Sequence, residues 1–293
     1  MKNLMIPALA LFLSAAAQAD DSPLWMRYCA ISPDGQTIAF SYQGDIYTVP
    51  SSGGKARQLT THPAHDTRPV WSPDGQKIAF ASNRSGNFDV FLMNKEGGEP
   101  KRLTTHSTNE YPTTFKDNGH ILYLANILQD AKDIQFPGTR FMQVYEISTD
   151  GGRPDLYSSL YMENIALSKD GSKLLYNDYK GYEDPWRKHH QSSITRDIWL
   201  CTLGKDRSFQ KVTTFGGEDR NPVWAADGAS FYYLSEEKGS FNIFKKDLAG
   251  NSEKQITTHT THPVRFLTSD NSGTLCYMNP QKQYIDNGIA RVL

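Results

Sequence analysis

Between Lys180 and Arg196 the chain reads KGYEDPWRKHHQSSITR, and this run holds Trp186, Arg187, His189, His190 and Arg196. Guanidinium forks match a carboxylate bidentately and an indole stacks on flat groups, so the run is a candidate binding site for an anion or a peptide carboxylate. The competing reading is a loop that packs across one face with its charges solvated. His189 and His190 are adjacent, so in extended chain they point to opposite sides and make no metal pair. A second set recurs: Asp66, Glu110, Glu163 and Asp219 stand at one offset after LTT-like segments. They could form a ring of carboxylates that draws a cation or a free amino terminus. Alternatively, each accepts backbone hydrogen bonds and fastens its own turn. His62, His106 and His259 also share a repeat position and read as part of the repeat, not as metal ligands. The chain contains no G-x-S-x-G elbow, H-E-x-x-H, P-loop or Rossmann fingerprint, so no catalytic residue, metal or cofactor is assigned.

What must position these residues is a repeat. Tight turns end at Gly35 and Gly75 (SPDG), Gly119 (KDNG), Gly171 (SKDG), Gly228 (AADG) and Gly273 (DNSG), at intervals of 40, 44, 52, 57 and 45 residues. Each turn precedes a strand-like run: TIAFSY, KIAFAS, ILYLAN, KLLYND, SFYYLS and TLCYMN. Five repeats add a third strand (DIYTV, DVFLM, QVYEI, DIWLC, NIFKK) and a fourth (ARQLT, PKRLT, PDLYS, QKVTT, EKQIT). Asp-Gly and Asn-Gly tolerate positive φ and join antiparallel strands tightly. Four antiparallel strands per unit at this period indicate an all-β protein, a β-propeller of four-stranded blades, since a lone blade cannot bury both faces. The blades span about 25–62, 66–106, 110–159, 163–215 and 219–259. A sixth, 263–293, reads as incomplete, because NPQKQYIDNGIARVL leaves room for one short strand after TLCYMN.

The composition agrees with this class. With 38% hydrophobic residues, 15 Tyr and 14 Phe the chain can fill a β core, and a net charge of −1 argues against a nucleic-acid partner. The first nineteen residues, MKNLMIPALALFLSAAAQA, have a cationic start, an apolar run and a small-x-small end, the pattern of a cleaved signal peptide. Residues 20–293 would then work in the periplasm or outside the cell, with no membrane span in the mature chain and a peptide or protein as ligand. Cys29, Cys201 and Cys276 lie in apolar runs and read as buried thiols, although the first and last could pair if the end repeats touch.

If each first strand runs down into its turn, the second-to-third connections lie on the opposite, upper face. Two of them are long: ILQDAKDIQFPGTRFM (Ile127 to Met142) and the Lys180 to Arg196 run, on neighbouring blades. Long irregular connections on a rigid scaffold are where binding concentrates.

The stretch LTTHPAHDTRPVWSPDGQKIAFASNRSGNFDVFLMNKEGGEPKRLT resembles the propeller repeat shared by TolB and the tricorn-type serine peptidases, and the likeness covers nearly all of the mature chain. The direct entry into the first blade at Trp25, together with DYKGYEDPWRKHHQSSITRDIW, resembles the N-terminal six-bladed propeller of a secreted tricorn-related peptidase. That resemblance implies a longer protein with a second propeller, a PDZ-like domain and a C-terminal serine peptidase domain, for which this propeller gates or docks peptides. None of the family's catalytic residues has a match in this chain. Two other roles stay open: a stand-alone TolB-like interaction scaffold, and the propeller of a prolyl-oligopeptidase-like enzyme.

Overall fold

The computed structural model describes residues 26–127, 141–181, 191–250, 252–279, 282–286 and 290–292. The leader and four candidate residues, Trp186, Arg187, His189 and His190, lie outside them. Every regular element described is a strand, and no helix among the described residues is long and apolar enough to cross a membrane.

Blade two shows how the repeat folds. Its strands Asp66–Trp71, Lys77–Ser82, Asp89–Asn94 and Gly97–Arg102 pair antiparallel in chain order. The SPDG turn between the first two is built by its own side chains. Gly75 N donates to Ser72 O at 2.8 Å, Gln76 N to Asp74 Oδ1 at 3.0 Å and Lys77 N to Ser72 Oγ at 2.9 Å. Gly75 has φ +67°, a conformation that penalises any residue with a Cβ, so the last letter of the motif is set by sterics. The turns at Gly35 and Gly171 repeat the same three bonds. Hydrogen bonds from Ser72 and from the Gln76 amide hold the Asp74 carboxyl below its ordinary range. The tryptophan before the turn serves the ring: Trp71 Nε1 donates to Ala30 O of blade one at 2.9 Å, and Trp224 Nε1 to Ala166 O of blade four at 2.9 Å.

Five complete blades are present as the repeats imply. The sixth packs through its first two strands, Arg265–Ser269 and Leu275–Asn279. The backbone continues the ladder with Lys282–Asp286 and the three-residue Ala290–Val292. The polar run QKQYID lacks the apolar character of DVFLM in blade two.

Every sheet among the described residues uses four consecutive strands, and none of those strands crosses from the last blade into the first. Packing closes that seam instead. Cys29, Ile31, Phe40, Val49, Cys276 and Met278 form one buried cluster, with Cys29 Sγ 3.0 Å from Phe266 O and Ile31 N donating to Thr268 Oγ1 at 3.2 Å. The Tyr28 and Phe266 rings meet at 4.6 Å. All three cysteines are free and buried, and burial, reinforced by Cys276, pushes the Cys29 thiol well up. Thiolate is the reactive form. A thiol-disulfide reagent at pH 8 should therefore label none of the three in the folded protein and all three in denaturant; rapid labelling of Cys29 or Cys276 under native conditions would show that the seam is open.

Candidate functional site

Each inner strand places its first three residues differently, and that pattern decides which candidates can meet a ligand. In the first place stand Asp66, Glu110, Met162, Asp219 and Val264, each at most 2% exposed. They sit in the joints between blades. Asp66 N donates to Gly44 O at 2.6 Å, Glu110 N to Phe88 O at 2.7 Å, Asp219 N to Arg196 O at 3.0 Å and Val264 N to Phe241 O at 2.8 Å, each acceptor belonging to the preceding blade. A threonine of the preceding LTT segment completes the joint: Thr60, Thr104, Thr213 and Thr257 Oγ1 accept from Ile46, Val90, Ile198 and Ile243 N at 2.9–3.0 Å.

Three of the four predicted carboxylates, Asp66, Glu110 and Asp219, are thus buried in the joints, each at most 1% exposed. The fourth is out of register. Met162 pairs with Asp178 and Glu163 with Asn177, whereas Asp66 pairs with Ser82 and Asp219 with Ser235 at the corresponding rung. Glu163 is therefore one residue further along, and a shift of one turns a side chain to the other face. It meets Arg196.

The joint acids differ in partner. Asp66 is held by Arg84 Nη2, at 2.9 and 3.1 Å from its two oxygens. Glu110 faces Asp89, which Arg102 Nη2 approaches to 2.9 Å as an ion pair. Burial first, and then the Asp89 charge, push the Glu110 carboxyl up to about 7 against the bonds from Thr104 and the His106 backbone, while Tyr123 packs its phenol on the same acid. Asp89 is itself raised by burial. Asp219 is pushed up to about 7 by burial, with Asp197 and Glu253 adding to it and the Ser235 and Thr213 hydroxyls opposing.

A carboxyl with a raised folded-state pKa stabilises fully below its unfolded value and loses that contribution as pH rises through the folded value. Stability should therefore fall between about pH 4.5 and 7, by on the order of 3 kcal/mol for Glu110 alone. Glu110→Gln mimics the protonated acid and should match the parent at pH 5 and exceed it at pH 8 in urea melts. A variant weaker than the parent at pH 8 would contradict this.

Arg196, the one insert candidate within the described residues, is 6% exposed. Its Nε donates to Glu163 Oε2 at 2.9 Å and its Nη1 to Glu218 Oε1 at 3.1 Å, while its guanidinium lies 5.3 Å from the Tyr179 ring centre. Glu218 also takes Arg220 Nη1 at 3.4 Å, and Arg220 stacks on Phe241 at 4.1 Å. Burial opposes the charge of Arg196, but Glu163 and Glu218 outweigh it and hold the guanidinium above its ordinary value. Arg196 is thus a strut between blades four and five. Removing one partner of a buried pair leaves the other uncompensated, so Arg196→Met should cost about 3–5 kcal/mol in urea denaturation. A change under about 1 kcal/mol would mean that the network contributes little.

Where the two inserts leave the ring, three aromatic residues gather. Phe141 stands next to last in the first insert, Tyr161 precedes the inner strand of blade four and Tyr179 directly precedes the second insert. The Phe141 ring is 4.9 Å from Tyr161 and 5.7 Å from Tyr179. Tyr161 is 42% exposed, so the group offers an open aromatic surface beside the Arg196 network.

The third place of each inner strand was not read from the sequence at all. Tyr28, Arg68, Asn164, Asn221 and Phe266 hold φ between +48° and +56° there, and all five inner strands are bulged at this point. Blade three has Pro112, whose ring fixes φ negative. Non-glycine residues resist this conformation, and the side chains share no type, so no motif marks the position. The contacts made at and beside this position fall into two groups. One is a run of π contacts through blades six, one, two and three: Phe266 on Tyr28, Arg68 at 5.3 Å from Tyr28 and 4.1 Å from Tyr111, then Phe88 at 5.4 Å and His65 at 6.0 Å. The other is an amide chain in blades four and five: Asn164 Nδ2 donates to Asn177 Oδ1, Asn221 N to the same oxygen at 2.7 Å, and Asn221 Nδ2 to Leu267 O at 2.8 Å.

Comparisons with known proteins agree with this architecture. A tricorn protease homolog of Saccharolobus solfataricus is 23% identical over 272 residues, covering 88% of this chain and 24% of its own length. The crystal structure of the tricorn protease superposes with a TM-score of 0.73 at 22% identity, over 91% of this chain and 25% of that one. TolB from Acinetobacter baumannii shares the fold at a TM-score of 0.58 and 14% identity, over 87% of this chain and 61% of that one. The chain spans about a quarter of the length of the tricorn relatives. The family model described as the tricorn protease N-terminal beta propeller domain matches residues 23–285. The chain belongs to that family.

Proposed function

We infer that this propeller receives peptides on its upper face and admits them to the central channel, acting as the docking and gating module of a tricorn-like serine peptidase. The observation that carries the reading is the Phe141–Tyr161–Tyr179 surface, set at the base of both inserts beside the inner strand of blade four. An aromatic surface is sequence-tolerant: it takes up side chains of an extended peptide through apolar area and ring contacts, without demanding one residue type. Trp186, Arg187, His189 and His190 on the second insert would extend it with a stacking ring and cationic groups, and Arg196 and Glu163 would brace its base. The catalytic step belongs to another part of the full-length protein in this reading, and the expected leader places the work in the periplasm or outside the cell.

The test uses an unstructured peptide of about ten residues and calorimetric titration of the propeller. Tyr161→Ala should weaken capture about fivefold, as expected for loss of an aromatic contact, with no change in thermal midpoint beyond a degree or two. Binding that stays within experimental error of the parent rules this surface out as the docking site.

A further inference from the structure

We propose that Cys29 and Cys276 are a cross-linking pair: oxidised to a disulfide, they join the first blade to the sixth and lock the ring. The proposal is independent of the peptide-docking reading and concerns how the ring is held shut.

Strand register brings the two thiols together. Across the seam, Cys29 Sγ donates to Phe266 O at 3.0 Å and Ile31 N donates to Thr268 Oγ1 at 3.2 Å, so the inner strand of blade one lies along the inner strand of blade six. Cys276 is the strand partner of Thr268 on the next strand of that blade. Cys29, Ile31, Cys276 and Met278 then fall in one buried cluster, with Cys29 2% and Cys276 0% exposed. The thiols are in hydrogen-bonding contact, which is the largest contribution after burial to the upward shift of Cys29. Cys201 has no part in this. It is packed in blade four with Leu174 and Tyr176, in a different cluster.

The place of the pair matters as much as its contact. Cys29 and Cys276 come from the two ends of the ring, about 250 residues apart in the chain, so a bond between them closes a loop that holds nearly every blade. A cross-link of that span removes a large share of the unfolded chain's conformations. It also ties the one junction where the first blade must find the last, which packing alone otherwise holds.

The oxidant is a disulfide, that of oxidised glutathione or of a dithiol–disulfide oxidoreductase. One cysteine thiolate attacks it and displaces a reduced thiol; the second thiolate then attacks the first cysteine's sulfur in the mixed disulfide and releases the other half. Two S–H bonds and one S–S bond become one S–S bond and two S–H bonds, and both electrons pass to the oxidant. The closed seam shields both sulfurs, so the exchange belongs to the stage before blade six docks on blade one. The expected leader would deliver the chain to a compartment where such a bond persists.

The test refolds the chain from urea in a buffer of oxidised and reduced glutathione, then denatures it, alkylates it with iodoacetamide and weighs it. Before alkylation the product should be a monomer about 2 Da lighter than the reduced chain, and afterwards it should carry one alkyl group, mapped to Cys201. Reducing it should lower the thermal midpoint by about 5–10 °C. Cys29→Ala and Cys276→Ala should each take up two alkyl groups and lose the difference in midpoint, while Cys201→Ala takes up none and keeps it. Should the chain precipitate on refolding, export through an oxidising secretory compartment takes the place of that step and the same mass analysis decides. Three alkyl groups, a glutathione adduct on Cys29 or Cys276, or a cross-link that includes Cys201 overturns the pairing. A Cys29–Cys276 bond whose reduction leaves the midpoint unchanged overturns its role as a lock.

Discussion

The joint between consecutive blades is the interaction on which the rest depends. Each blade is a four-stranded sheet with two apolar faces that must be covered, and covering them commits the chain to a ring. At four joints the first residue of an inner strand donates its N–H to a carbonyl of the blade before it, and a threonine hydroxyl caps the neighbouring strand. Tryptophan side chains add a second tie lower down at two of them. These bonds fix the angle between blades, and that angle sets which residues reach the axis. The seam between blades six and one is packed through a cluster around Cys29 and Cys276.

Much of the scaffold was legible because its chemistry is local. SPDG specifies a turn through hydrogen bonds within a few residues, so it repeats wherever the turn repeats. The LTT threonines were equally visible, and their role follows once the strands are paired. The carboxylates show the limit of counting by offset. Asp66, Glu110 and Asp219 share a rung, but the connection before blade four shifts Glu163 by one residue, and only the pairing of Met162 with Asp178 exposes it. Arg196 was readable as chemistry and not as a strut, since its partners Glu163 and Glu218 come from different blades. The channel wall left no trace in the sequence. Its common feature is a backbone conformation that Tyr28, Arg68, Asn164, Asn221 and Phe266 share while their side chains do not.

Arg196 and Arg68 show two ways in which the ring stabilises a guanidinium. A buried guanidinium needs fixed carboxylates, and Arg196 and Arg220 have them at the price of any further role for those donors. Arg68 is satisfied on its faces by aromatic quadrupoles, which stabilise the cation without occupying its N–H groups.

The joint acids have a consequence for the shape of the ring. Glu110 with Asp89 lies between blades two and three, and Asp219 with Asp197 between blades four and five. Blades three and four carry both long inserts, so this pair of blades is bordered on each side by an acid that holds its proton near neutrality. The joint between them has Met162 at the same place, and the one between blades five and six has Val264. Rising pH therefore adds repulsion along both edges of one panel of the ring, the panel that bears the inserts, and leaves the seam inside it apolar.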